Sequence, residues 1–306
     1  MSACYEGWAA GVAADPAVVA LIDQLPPAAR QPNLVFSAAR MHGAITAEYP
    51  AFAAWLREHW DEVAATCLTH ATQTNEPGRC AVLLPSLAAL KGPLALIEVG
   101  ASAGLCLHPD RYSYRYLVAD GSERMLHPAD GPSPVVLDCA VSGPVPLPER
   151  MPEIVWRAGI DLNPLDVSSE ADVAWLDALI WPEHDDRRER LRAAVTVARQ
   201  HPVEIVRGDL NDQIAALVAR APAGVTVVVF HTAVLAYLNA AGTDRFTAQM
   251  ADLPVRWLAN EGQSVVPGVL ERLAERPAEA SAFILALEGE PIALTQPHGR
   301  SLHWLG

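Results

Sequence analysis

The chain of 306 residues predicts an α/β fold, a parallel sheet with helices on both faces, preceded by an α-helical region. Two observations lead there. From Leu94 onward, short apolar runs alternate with segments of helical spacing, whereas the first ninety or so residues read as helices. A third observation modifies the picture: residues from Arg111 alternate aromatic with polar side chains, which predicts an inserted β-hairpin. The expected division is a helical region over 1–92 and a sheet domain over 93–306, with the insert at about 111–150.

Each element has a local reason. Asp15-Pro16 supplies an N-cap acid and a first-turn proline ahead of Val18, Val19, Leu21 and Ile22, and Leu25-Pro26-Pro27 stops that helix. Residues 51–69 place Phe52, Trp55, Leu56, Trp60 and Val63 near one face. The polar island Thr72 to Arg79 then reads either as a plain loop or as a pocket lining built from Gln73, Asn75 and Glu76.

Leu94 to Val99 is an apolar strand interrupted only by Glu98, as expected for a strand covered on both faces. The insert holds RYSYRYLV from Arg111, a turn at Asp120-Gly121 and a short strand over 135–141. Glu153 to Asp161 is the second core strand. Ser169 with Asp172 resembles a capping box for the next helix, Pro182 breaks it, and a further helix runs to about Gln200. The third strand ends at Gly208-Asp209, and a helix over 211–220 leads to the fourth, Val225 to Phe230. A helix around 244–252, a short segment over 255–258 and an antiparallel hairpin in the tail complete the series.

Composition bounds the function. Apolar residues make up 51% and charged residues 19%, an ordinary soluble composition because much of the apolar share is alanine. A net charge of −14 argues against nucleic acid or an anionic membrane as partner and favours a small molecule. Five scattered cysteines and no H-x-x-x-H pair suit a reducing cytoplasm and offer no metal site. The opening MSACYEGWAAG has no basic stretch before an apolar core, so no signal peptide is expected. Ala221 to Gly242 is uncharged and about as long as a membrane span. Its β-branched first half and alanine-rich second half read instead as a buried strand running into a helix.

The stretch GASAG, Gly100 to Gly104, fits two signatures. As G-x-S-x-G it is a nucleophile elbow: Ser102 attacks an ester or amide, with a later acid and a histidine such as His231 or His298 completing a triad. As E-x-G-x-S-x-G, Glu98 ends a strand, and small residues at Gly100, Ser102 and Gly104 let the backbone bend round a nucleotide-like cofactor. A helix after the loop would add unpaired N–H groups. A dinucleotide fingerprint needs its third glycine at the position held by Leu105, so the spacing fits S-adenosylmethionine instead. Asp161 then stands where a ribose diol would be held, and Gly208-Asp209 where the adenine amine would be met. Each carboxylate alone also fits a helix cap. Leu94 to Val99 is the first core strand, and no H-G-G loop precedes it, which favours the cofactor reading.

TQTNEPGR (72–79), LALIEVGASAGLCLHPDRYSYRY (94–116), RAGIDLNPLDV (157–167), WLDALIWPE (175–183) and PHGRSLHWL (297–305) together resemble a bacterial family, domain of unknown function 2332, over nearly the whole chain. The resemblance implies a Rossmann-like methyltransferase sheet after a helical N-terminal region, with no established substrate. The chain departs from the usual methyltransferase pattern in having Ser102 as the middle small residue and a long path from Gly100 to Asp161. The insert at 111–140 accounts for that path, either covering the site or extending the sheet.

The expected activity is S-adenosylmethionine-dependent methyl transfer to a small molecule. His231, at the end of the fourth strand, is the candidate base or, alternatively, a core histidine. Arg111 and Tyr112 either contact substrate or fix the insert, and Tyr237 either lines the pocket or packs. Two alternatives stay open: a serine hydrolase using Ser102, and a protein that binds a nucleoside ligand without turnover.

Overall fold

Ser2, Asp15 and Ser169 each start a helix by accepting a first-turn backbone N–H on the side chain, which replaces a bond that the helix cannot make internally. The computed structural model describes residues 2–277, 279 and 282–306. Its helices in chain order are α1 (Ala3–Ala13), α2 (Pro16–Ile22), α3 (Pro32–Met41), α4 (Tyr49–Glu58), α5 (Trp60–Thr69), α6 (Cys80–Ala89), α7 (Glu170–Leu179), α8 (Asp185–Gln200), α9 (Leu210–Val218) and α10 (Ala240–Asp252). The strands are β1 (Leu94–Val99), β2 (Ser113–Val118), β3 (Glu123–Leu126), β4 (Val136–Ser142), β5 (Ile154–Asp161), β6 (Glu204–Arg207), β7 (Thr226–Thr232), β8 (Arg256–Gly262), β9 (Phe283–Leu287), β10 (Glu290–Thr295) and β11 (Ser301–Trp304).

The chain divides into two compact units. One comprises the residues up to Thr74 together with Leu165–Arg192; the other comprises Asn75–Pro164 and Ala193–Gly306. The division thus differs from the expected boundary at residue 92. In the helical unit, α7 joins the N-terminal helices because Trp175 Nε1 donates to Ala71 O at 3.1 Å and Arg40 Nη1 donates to Ala178 O and Ile180 O at 3.0 and 2.6 Å. Its core is aromatic: Trp8 stacks on Phe52 at 3.8 Å between ring centres, with Phe36 edge-on to both. The single helix expected over 51–69 is two, α4 and α5, separated at His59 (φ −112°).

The second unit holds one mixed sheet of eleven strands among the described residues, mostly parallel, in the order β3-β2-β4-β11-β10-β9-β8-β7-β1-β5-β6. Strands β6, β5, β1, β7 and β8 lie side by side and parallel. The chain therefore leaves β1 toward β5 and β6, then returns to the other side of β1 for β7 and β8. Strand order reverses between β1 and β7, and in open α/β sheets ligands bind beyond the carboxyl ends at such a point.

Alternation along the strands assigns the two faces. Ile97, Val99 and Val229 join a core with Ile214 and Leu217 of α9 and Phe246 and Met250 of α10. Glu98 is in register with Phe230, so its side chain shares the opposite face with Thr232, where Arg79 at the start of α6 is seated.

The insert extends the sheet. Strands β2 and β3 form the antiparallel hairpin, but β4 runs parallel to β2 and to β11 of the tail. The tail accordingly contributes more than the expected hairpin of β9 and β10. Tyr112, Tyr114 and Tyr116 share a buried face, and their hydroxyls donate to Leu105 O, Pro109 O and Ala81 O at 2.6, 2.5 and 3.0 Å. No helix among the described residues is long and apolar enough to cross a membrane; the uncharged run 221–242 forms β7, a short turn and the start of α10.

Candidate functional site

The glycine loop leaves β1 at the reversal point with three residues at positive φ: Gly100 (+70°), Ser102 (+52°) and Gly104 (+73°). A Cβ at Gly100 would lie 2.4 Å from Val234 Cγ2, so only glycine lets the loop pass the turn that follows β7. For Ser102, positive φ is a strained state held by its surroundings. Its N–H donates to Asp161 Oδ2 at 2.8 Å, and Asn163 N–H donates to Asp161 Oδ1 at 2.8 Å.

The helix expected after the loop is replaced by two short 3₁₀ turns, Leu105–Leu107 and Pro109–Arg111. Gly104 enters the left-handed region, and Pro109 has no N–H to extend a ladder. The loop's own N–H groups are largely engaged as well. Gly100 and Ala101 donate to Ile160 O, Gly104 to Ala101 O, and Leu105 to Asn75 Oδ1 at 2.8 Å. This is a brace for a shaped loop rather than a phosphate cradle.

Residues 75–79 of the polar island close over the same strand ends. Asn75 holds Leu105, Glu76 Oε1 accepts Gly78 N–H at 3.0 Å, and the Glu76 carbonyl accepts the Cys106 thiol at 3.3 Å. Arg79, which the sequence reading passed over, is 8% exposed and clamps the end of β7: Nη1 donates to Thr232 O at 2.8 Å and to Thr232 Oγ1 at 3.0 Å. Its Nε donates to Pro297 O at 3.1 Å, which brings in the PHGR segment. A Cβ at Gly299 would lie 1.9 Å from Gly78 O, so the NEPGR and PHGR backbones meet without side chains between them. The signal for Arg79 was its place at the end of a polar run that also carries a proline-glycine turn.

Glu98 is 2% exposed, and its Oε2 has no hydrogen-bond partner among the described residues. Burial holds its carboxyl well above the usual carboxylate range; the Cys106 thiol and Asp161 add to this and Arg79 opposes it. Ser102 Oγ is likewise buried without a partner among the described residues, so no histidine stands beside it to take its proton.

Other candidates are placed differently. His231 is fully buried on the α10 face, in edge contact with Phe246. Trp257 Nε1 can only donate, and it donates to His231 Nε2 at 2.9 Å, so the ring proton sits on Nδ1 and points at Glu261 Oε1, 2.7 Å away. Glu261 Oε1 also accepts Val234 N–H and Leu235 N–H, at 2.8 and 3.1 Å. Both ring nitrogens are thus spent on the fold, and His231 holds the turn after β7 instead of facing a ligand. Asp209 caps α9, accepting Asn211 N–H at 2.8 Å, while Gly208 N–H donates to Asp161 O at 2.9 Å.

Arg111 pairs with Asp110 and Asp130 at 3.4 and 3.6 Å, and Asp110 is also held by Arg157 through two bonds of 3.1 Å. The DRY triplet is therefore an ionic anchor of the insert, and buried Tyr112 supports the Leu105 carbonyl. Tyr237, expected to pack or line a pocket, is 77% exposed in the turn after β7; Leu162, directly after β5, is 70% exposed. Gln73 lies in the helical unit, its N–H donating to Ala71 O at 2.9 Å. All five cysteines are free, and no group of three metal-binding side chains occurs among the described residues.

Comparison with known families matches residues 1–304 to the family described as "Uncharacterized protein conserved in bacteria (DUF2332)". No curated protein and no solved structure matches the chain.

Proposed function

The chain belongs to the DUF2332 family, and from that premise we propose that its sheet unit is a Rossmann-like S-adenosylmethionine-dependent methyltransferase acting on a small molecule. The observation that carries the reading is the reversal of strand order at β1 and β7, with the E-x-G-x-S-x-G loop at that point and Asp161 at the end of the adjacent strand.

The residues fit the cofactor. Gly100 and Gly104 shape the loop, and the unpartnered Ser102 hydroxyl and Glu98 carboxyl are polar groups for a ligand to engage. Asp161 accepts Ser102 N–H on Oδ2 and Asn163 N–H on Oδ1, which fixes the carboxylate at the end of β5 where a ribose diol would lie. The engaged loop N–H groups favour a nucleoside ligand without phosphates over a nucleotide.

When bound, S-adenosylmethionine supplies an already activated methyl group, so positioning is most of what the protein contributes. Exposed Leu162 and Tyr237, in the turns after β5 and β7, offer apolar surface on either side of the β1 loop. With His231 committed to Trp257 and Glu261, the reading requires no histidine base and suits a nucleophile that carries no proton at working pH. The lone hydroxyl of Ser102 weighs against the hydrolase alternative. A nucleoside binder without turnover shares every binding feature and differs only in losing no methyl group.

Calorimetric titration with S-adenosylmethionine and S-adenosylhomocysteine tests the proposal. Binding of both at one site is the expected result, and a folded protein that takes up neither rejects it.

A further inference from the structure

Charged and polar groups buried without a full set of partners are costly, and proteins keep them where something else completes the set. Two such groups lie on one face of the sheet. The bonds that hold Arg79 go to neutral oxygens, Pro297 O, Thr232 O and Thr232 Oγ1; they engage Nε and Nη1 and leave Nη2 outside the set. Glu98 is buried with Oε2 unpartnered among the described residues. The parallel register puts Glu98 opposite Phe230, two residues before Thr232, so the carboxyl and the guanidinium share a face without being bonded to each other. The Arg79 charge is near enough to favour the ionised form of the Glu98 carboxyl.

We propose that Arg79 and Glu98 form a recognition site for a zwitterionic α-amino-acid group, with the ligand carboxylate on Arg79 Nη2 and the ligand ammonium on Glu98. A guanidinium fork matches a carboxylate in geometry, and an arriving ammonium supplies the opposite charge with which the Glu98 carboxyl ionises, so charge-assisted bonds of both signs fix the direction in which the group enters. Ser102 Oγ, unpartnered in the adjoining loop, is a further hydrogen-bonding group there. Asn75 and the Thr232 clamp hold the frame and do not themselves touch the group. In its cofactor form the inference rests on the proposed function, since S-adenosylmethionine carries such an end; a free amino-acid substrate carries the same chemistry.

The test compares S-adenosylhomocysteine with 5′-methylthioadenosine, which has the nucleoside and thioether but no amino-acid end, by titration calorimetry on the full chain. Wild-type protein should bind S-adenosylhomocysteine at least about tenfold more tightly. Arg79→Met, Arg79→Lys and Glu98→Gln should lose that preference while holding 5′-methylthioadenosine as wild type does. The wild-type comparison needs no variant to fold. Equal binding of the two nucleosides overturns the inference and leaves the cofactor reading intact, as does an equal loss of both in the variants. If wild type binds neither nucleoside, the cofactor reading falls and L-methionine decides. Its binding by wild type and loss in Glu98→Gln supports the zwitterion site, and its failure to bind overturns it.

Discussion

Ser102 N–H donates to Asp161 Oδ2 across 2.8 Å, tying the glycine loop after β1 to the end of β5. Asp161 thus builds the loop before any ligand arrives. Asp161→Ala should lower stability by about 1–3 kcal/mol without ligand, since it leaves the N–H groups of Ser102 and Asn163 without their acceptor. Chemical denaturation of the ligand-free protein measures this. An unchanged midpoint would mean that the bond carries no weight.

Gly100 and Val234 make a second such pair. Gly100→Ala meets both positive φ and a side chain 2.4 Å from the new Cβ, so a loss of about 1–3 kcal/mol is expected. Val234→Ala removes the methyl contacts at 2.4 and 2.8 Å and leaves a Cβ contact at 3.2 Å together with the backbone strain. The double variant should recover part of the loss in a denaturation series; strictly additive effects would contradict the contact.

The bond from Trp257 dictates the tautomer of His231. Long-range nitrogen–proton NMR at neutral pH should show the ring proton on Nδ1, in slow exchange with water, and Trp257→Phe should relax that preference. A proton found on Nε2 in the wild-type protein refutes the arrangement.

Glu98 links stability to pH. Its folded-state pKa is raised, so its contribution is present below the ordinary carboxylate range and lost as pH rises through the folded value. Burial is the main cause, the Cys106 thiol and Asp161 push the same way, and Arg79 pushes against them. Glu98→Gln does not titrate, so its melting temperature should gain on wild type between pH 5 and about 8. A difference that stays flat over that range is the contrary result.

His108 runs the other way. Burial, followed by the charges of Arg157, His201 and Arg111, lowers its pKa to about 3. A lowered value means stability present above about pH 6.5 and lost as pH falls toward 3, by as much as roughly 5 kcal/mol. His108→Asn keeps an acceptor for Arg157 Nη1, 3.3 Å from His108 Nδ1 in the wild type, and should flatten the acid limb of the stability profile. A limb as steep as in wild type would place the acid sensitivity elsewhere.

The parts of the fold written in neighbouring residues were legible. Asp15 and Ser169 cap helices as their sequence positions indicate, and β1 is the buried strand that its apolar run describes. Asp209 also reads locally, as the cap of α9. The loop after β1 misled because small residues ahead of an apolar run resemble a helix start, while Gly104 and Pro109 divert the chain into two turns.

By itself the sequence determined the alternation of strands and helices, the helix caps and the glycine loop, because propensity, capping and hydrophobic period act over a few residues. Tertiary structure alone decided that the insert pairs with the tail, that Trp257 and Glu261 claim His231, and that Arg79 and Glu98 share one buried face. The physical reason is the kind of bond involved. Strand pairing uses backbone groups that every residue carries, and a side chain's partners far along the chain follow from which faces the sheet turns toward each other.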